Sequence, residues 1–185
     1  GLGDVYKRQG QNHYYIDYNF QITGSDLNVN GTLTFDINHD TQEQLIDATI
    51  TKNDEEPLIY HGIYDLYYND RFYYNLEDRS TYLSVDEKND IENIYSLMEK
   101  ATNVNAETFT ISKDDMQNIL EQPVIRYLTG IKGDDIITVH NDVVFHYTMD
   151  SDLKLLKTLN AEFTINNGQK VTVSYEMRTL EDEIG

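Results

Sequence analysis

The chain has 185 residues, no cysteine, and 33 acidic against 14 basic side chains, for a formal net charge of −19. That balance excludes a phosphate-neutralising nucleic-acid binder and a basic patch for anionic lipid, and the absence of cysteine excludes disulfides and thiolate chemistry. No apolar run approaches the roughly 18 residues of a membrane-spanning helix, and no Gly/Ser linker or internal repeat divides the chain.

Asp4-Val5-Tyr6-Lys7-Arg8-Gln9 reads as the in-frame translation of a transposase-end sequencing adapter. Residues 1–9 are therefore set aside as an artefactual tail, and residues 10–185 are expected to form a single domain. On this reading the natural start lies upstream, and the C-terminal end is also expected to be cut short.

From residue 14 the dominant signal is period two. Tyr14, Ile16, Tyr18, Phe20 and Ile22 alternate with polar residues, as do Leu27, Val29, Gly31, Leu33, Phe35 and Ile37. Such alternation places apolar side chains on one face of a strand, and one wet face means antiparallel pairing. The pattern recurs at Ala48 and Ile50, over Leu58 to Tyr68, from Ile137 to Met149, from Leu159 to Ile165, and from Val171 to Met177. Turn chemistry falls between the runs, at Thr23-Gly24-Ser25-Asp26, Asn53-Asp54-Glu55-Glu56, Asn69-Asp70 and Asp150-Ser151-Asp152. Asn167-Gly168 predicts a type I′ hairpin. Two segments change to helical period: Ile91, Ile94, Tyr95 and Met98, with Ser84 and Glu87 as a capping box, and Met116 through Leu128, started by Ser112 or Asp114. Pro123 interrupts the second, and Gly130 and Gly133 end it. Glu107 to Ile111 reads as a short strand between them.

The predicted order is about six strands, a helix, a short strand, a helix and three long strands. That is an α+β domain. A wide sheet with one apolar face must cover that face, and two helices cover only part of it. The expected architecture is a strongly curved antiparallel sheet, a half-barrel, wrapped around two helices, with room for an apolar cavity.

This order resembles the bacterial lipoprotein-carrier superfamily, which includes the periplasmic carrier LolA, its receptor LolB and mycobacterial lipoproteins of the LppX and LprG type. The resemblance is nearest to Gram-positive lipoproteins of that superfamily. It rests on Tyr67-Tyr68-Asn69-Asp70-Arg71-Phe72-Tyr73-Tyr74 and on the stretch from Val143 to Arg178, and it covers residues 12–180. It implies an extracytoplasmic, lipid-anchored protein without catalytic residues, holding acyl chains between sheet and helices. The lipidated cysteine of such proteins would belong to the upstream segment.

The candidate ligand-binding residues are Tyr18, Phe20, Phe35, Leu97, Met98, Phe145 and Tyr147, an aromatic and apolar lining for a lipid or other amphiphile. Plain core packing accounts for the same residues. Tyr15, Tyr67 and Tyr73 take the opposite parity and could form an exposed strip for a protein or glycan partner. Asn30-Gly31-Thr32 is formally a glycosylation acceptor and reads as a polar strand face. His140, Asp142 and His146 share a strand face, but His140 and His146 would stand about 20 Å apart, too far for one metal ion. Asp86-Glu87-Lys88-Asn89-Asp90 lacks the glycine and ligand spacing of a calcium loop. No nucleophile, phosphate-loop or dinucleotide motif is present, so the expectation is a non-enzymatic protein without cofactor or metal, with no nucleic-acid partner and no transmembrane segment in this stretch of chain.

Overall fold

A computed structural model describes residues 13–65, 67, 71–73, 82–84, 94–121, 126, 137–152 and 155–179. Among these, the strands are β1 (His13–Thr23), β2 (Asn28–Asn38), β3 (Glu43–Lys52), β4 (Leu58–Asp65), β5 (Arg71–Tyr73), β6 (Tyr82–Ser84), β7 (Thr108–Ile111), β8 (Val143–Met149), β9 (Leu156–Ile165) and β10 (Gln169–Thr179). The helices are α1 (Ile94–Glu99), between β6 and β7, and α2 (Lys113–Leu120), between β7 and β8. The element order is the one the hydrophobic periods predict. The proportions differ: the protein is mostly antiparallel sheet, and the two described helices are short.

All ten strands form one sheet in the order β6-β5-β4-β3-β2-β1-β10-β9-β8-β7, every pair antiparallel. Each strand but β7 neighbours its predecessor in sequence, and the first also pairs with the last. That is the order of an up-and-down barrel left open between β6 and β7. Its two edges are only three and four residues long, and short edges offer little backbone for unwanted pairing.

Laid flat, ten strands at about 4.8 Å spacing would span roughly 43 Å. Sheets this wide curl, and here the curl carries the core. Register carries one apolar face unbroken across the sheet. In one row, Phe145 opposes Ala161 and Ala161 opposes Val173. Val173 then opposes Phe20, and Phe20 opposes Gly31. Buried residues from β4, such as Tyr64, to β7, such as Phe109, fall in a single cluster. Met98 of α1 and Met116 of α2 are buried in that cluster, with Leu97 and Leu120 packed against it. Ser112 caps α2, its Oγ accepting from the Asp115 N–H at 3.2 Å.

The loops follow their side chains. Gly24 N–H bonds the Leu27 carbonyl at 2.8 Å. Asn53, at φ 53°, takes the Asn28 N–H on its Oδ1. The last hairpin corrects the predicted turn. Ile165 pairs with Gln169, so its loop has three residues, and the positive φ values fall on Asn166 (50°) and Gly168 (86°). A three-residue loop ends with glycine in the left-handed region, whereas a type I′ turn needs it at both central residues. Asn69-Asp70, the 85–93 segment with its acidic run, Pro123, Gly130 and Gly133 lie outside the described residues.

Gly31 shows how tightly the sheet centre is fitted. The Phe20 ring lies over it from the neighbouring strand, and a Cβ on Gly31 would meet Phe20 Cε1 at 2.1 Å. Gly31→Ala must displace that ring and should cost about 1–3 kcal/mol in urea unfolding. In a Phe20→Ala background the same change should cost far less. An equal cost in both backgrounds would mean that the ring is not what excludes the side chain.

Candidate functional site

The expected ligand-lining residues all lie on the inner face or on α1. Phe35, Met98 and Phe145 are buried, and Tyr18, Phe20, Leu97 and Tyr147 are half-buried against them. Phe145 stacks on Phe109 at 5.2 Å between centroids and 10° between planes. Tyr18 lies 5.1 Å from Phe35 and meets Tyr175 edge-on at 5.4 Å. The Tyr175 hydroxyl donates to the Leu156 carbonyl at 3.2 Å, and the Tyr147 hydroxyl donates to the Asn105 carbonyl.

Exposure along the central strands is uneven. On β1 the inner residues Ile16 and Ile22 are buried, yet Tyr18 and Phe20 between them are half-exposed. On β10 Val171, Tyr175 and Met177 are buried, and Val173, the partner of Phe20, is half-exposed. The apolar surface left uncovered is thus at the middle of the inner face.

One inner position is polar in a way that alternation alone did not reveal. Gln44 falls in register with Ile37 on one side and Tyr64 on the other. Its side chain is 0% exposed, and neither Nε2 nor Oε1 has a hydrogen-bond partner among the described residues. The signal was parity: with Ile46, Ala48 and Ile50 facing inward, Gln44 faces inward and Leu45 outward. Leu45 is indeed exposed.

The outer face is grooved over the sheet centre. One groove, of about 750 Å³, runs over β1, β10, β9 and β8, and a second, of about 460 Å³, lies over β2, β1, β10 and β9. Thr32, Asn19, Ser174, Asn160 and His146 form one cross-strand row there, with none of the chain's abundant charges in it. Toward one end of the strands Arg178 joins β10 to β1. Its Nε donates to Asp17 Oδ2 at 2.5 Å and its Nη2 to Oδ1 at 3.2 Å, while its guanidinium lies 5.2 Å from the Tyr15 ring centroid. Hydrogen bonding to Asp17 raises the Arg178 pKa further above its usual value, against the opposing effect of partial burial.

The expected tyrosine strip does not form. Tyr67 is 74% exposed, but Tyr73 is only 8% exposed, met edge-on by Tyr82 at 5.7 Å. Tyr15 sits four strands away from Tyr73. Ile63, which pairs with Tyr73, is also buried, so β4 buries residues on both faces, Ile63 on one and Tyr64 on the other. Nor do His140, Asp142 and His146 share a strand. Only His146 is in β8; His140 bonds the Asn166 carbonyl, and Asp142 accepts the Lys113 N–H at 2.9 Å. Among the described residues no group of three or more His, Asp or Glu could hold a metal ion, and no helix is long and apolar enough to cross a membrane.

No protein-family model matches the sequence, and no curated protein matches it. Among solved structures the chain is similar to a redesigned β-barrel, mFAP1, bound to DFHBI. The identity is 13% over 86% of this chain and 91% of that one, with a TM-score of 0.26. It is also similar to a porin-like protein from Bacteroides uniformis, at 12% identity over 89% and 95% of the two chains and a TM-score of 0.27. A third is the dehydratase domain from the CurH module of the curacin polyketide synthase, at 12% identity over 100% and 85% and a TM-score of 0.20. Likenesses at these scores carry no argument about fold or function.

The Arg178–Asp17 pair is bidentate but about 30% exposed on both sides. Arg178→Gln should therefore cost only about 0.5–1 kcal/mol in urea unfolding. A loss several times larger would mean that the pair governs whether β1 and β10 dock at all.

Proposed function

We propose that this is a non-enzymatic, extracytoplasmic lipoprotein domain that holds a hydrophobic or amphiphilic ligand between the curved sheet and its helices. The observation that carries the reading is the partly exposed apolar surface of Tyr18, Phe20 and Val173, at the middle of a face that is otherwise largely buried. Geometry supports it. Closed barrels of about eight strands have interiors that side chains fill or that hold one small ligand, and a sheet of ten strands in barrel order has a wider interior to fill. On this reading the sheet wraps the helices. Met98 and Met116 then supply flexible, polarisable side chains that can repack around an acyl chain. The break between β6 and β7, bridged in sequence by the α1 segment, is the entrance. Export and lipid anchoring rest on the resemblance drawn from the sequence.

A second reading is supported by the outer grooves. A cell-surface module with a filled core would use that uncharged Asn, Thr and Ser surface to hydrogen-bond a neutral glycan. The uncharged row itself would bury no charge, although Asp142 and Glu162 line one groove and Asp17 and Glu176 the other beside it.

Native mass spectrometry of the protein purified without detergent, followed by lipid extraction, separates the two. The expected result is a stoichiometric lipid-sized adduct that falls at least about tenfold in occupancy in Tyr18→Asp. Tyr18 is the better probe than Phe145, because the buried Phe145 would take the fold with it. A clean apo mass that takes up neither offered fatty acid nor phospholipid would discard the carrier reading. Retention of the protein on a neutral glycan column, lost in Asn160→Lys, would then establish the second.

A further inference from the structure

We propose that Gln44 anchors the head of the bound amphiphile, and that this head is an uncharged group that both donates and accepts hydrogen bonds, such as an alcohol or an amide. The inference rests on the carrier reading and narrows its ligand.

Gln44 belongs to a cross-strand row on the inner face that runs Thr179, Tyr14, Ile37, Gln44, Tyr64. All five are buried, and Gln44 and Thr179 are the two non-aromatic polar side chains buried among the described residues. The row is therefore the polar end of an apolar face. From Tyr14 to Phe20 along β1 is about 20 Å at 3.4 Å per residue. A medium-length acyl chain laid along that path would run from Gln44 past Ile46 and Phe35 to the uncovered surface at Tyr18 and Phe20.

The chemistry of the head follows from the anchor. A primary amide offers two donors and an acceptor, and those of Gln44 are unspent. Burying such a group without a partner is unfavourable, and more than nine in ten buried polar groups in proteins are satisfied. A hydroxyl or amide head satisfies both ends of Gln44 at once. A carboxylate or phosphate would satisfy only the N–H groups and would need a cation. No Lys or Arg occupies the row, and the one imidazole near it, His39, meets the Tyr14 hydroxyl at 3.4 Å.

The test uses the full chain, Gln44→Met and Gln44→Leu, with three dodecyl probes: 1-monododecanoylglycerol, dodecanoate and dodecane. Affinity is read by displacement of an apolar fluorophore and stability by thermal unfolding. The wild type should prefer the monoacylglycerol over dodecanoate. Both variants should bind the monoacylglycerol about tenfold more weakly and dodecane unchanged. Both should also melt about 2–4 °C higher, because an apolar side chain replaces an unpaired amide. Monoacylglycerol affinity equal in wild type and variants, with dodecane still bound, overturns the anchor and leaves the carrier reading standing. Uptake of none of the three probes by the wild type overturns the carrier reading itself. Preference for dodecanoate overturns the uncharged head. Lower melting in both variants overturns the unpaired amide, since Gln44 would then be bonded within the fold.

Discussion

Ten backbone pairs join the first strand to the last, from Tyr14 opposite Thr179 to Thr23 opposite Lys170. Every other strand takes its place by its distance from that pairing. β2 to β6 extend from one side and β9 to β7 from the other, each laid against its sequence neighbour. Without the central pairing the chain would be two separate meanders, each with a long unprotected edge. The partners in it are 147 to 165 residues apart, so their loop-closure entropy is met only after both meanders are in place. Arg178 and Asp17 fasten the same two strands on the outside. Tyr18 and Tyr175, directly opposed in register, meet on the inside.

Putting β1 and β10 at the sheet centre also determines where the interior is closed and where it is open. The sheet curls so that β4 and β7 residues share one core cluster. The short edges β6 and β7 are left at opposite ends of the sheet. At the centre, by contrast, the fit is tight in one dimension and loose in the other. Phe20 sits directly on Gly31, where no side chain could be accommodated. Yet Phe20 and Tyr18, packed against the core cluster, are themselves only partly buried. Part of each ring is thus left to contact something other than the protein's own core.

The sequence made the long strands legible because their two faces differ so sharply. In β1, β2 and β10 alternation and parity can be read residue by residue, and the buried set with them except at Tyr18, Phe20 and Val173. It made the helix cap at Ser112 legible for the same kind of local reason. What it concealed were features that depend on neighbours across strands. Tyr73 looks like a solvent residue by parity, but Ile63 and Tyr82 beside it create a small apolar cluster on the outer face. Asn167-Gly168 suggests a two-residue turn, but pairing of Ile165 with Gln169 lengthens the loop by one residue. His140 and Asp142 match strand parity, yet one is spent on a carbonyl of the neighbouring loop and the other on the start of α2. Gln44 was hidden because Leu45 beside it is the more hydrophobic residue, and composition alone would turn Leu45 inward. Only the run of Ile46, Ala48 and Ile50 sets the register that reverses them.

The two faces differ in how much their polar residues weigh as signs of function. An outward Asn19 or Thr32 is hydrated and costs the fold almost nothing, so a groove with an uncharged row is compatible with binding without requiring it. A buried amide with nothing to bond costs about 1–3 kcal/mol, a sizeable part of the 5–15 kcal/mol by which a domain of this kind is stable. An aliphatic residue at position 44 would extend the inward set of Ile46, Ala48 and Ile50 and remove that cost. Local rules that a fold breaks at its own expense tend to mark the places where it does its work. The inner face between Gln44 and Phe20 therefore carries more functional weight than the larger and more visible grooves outside.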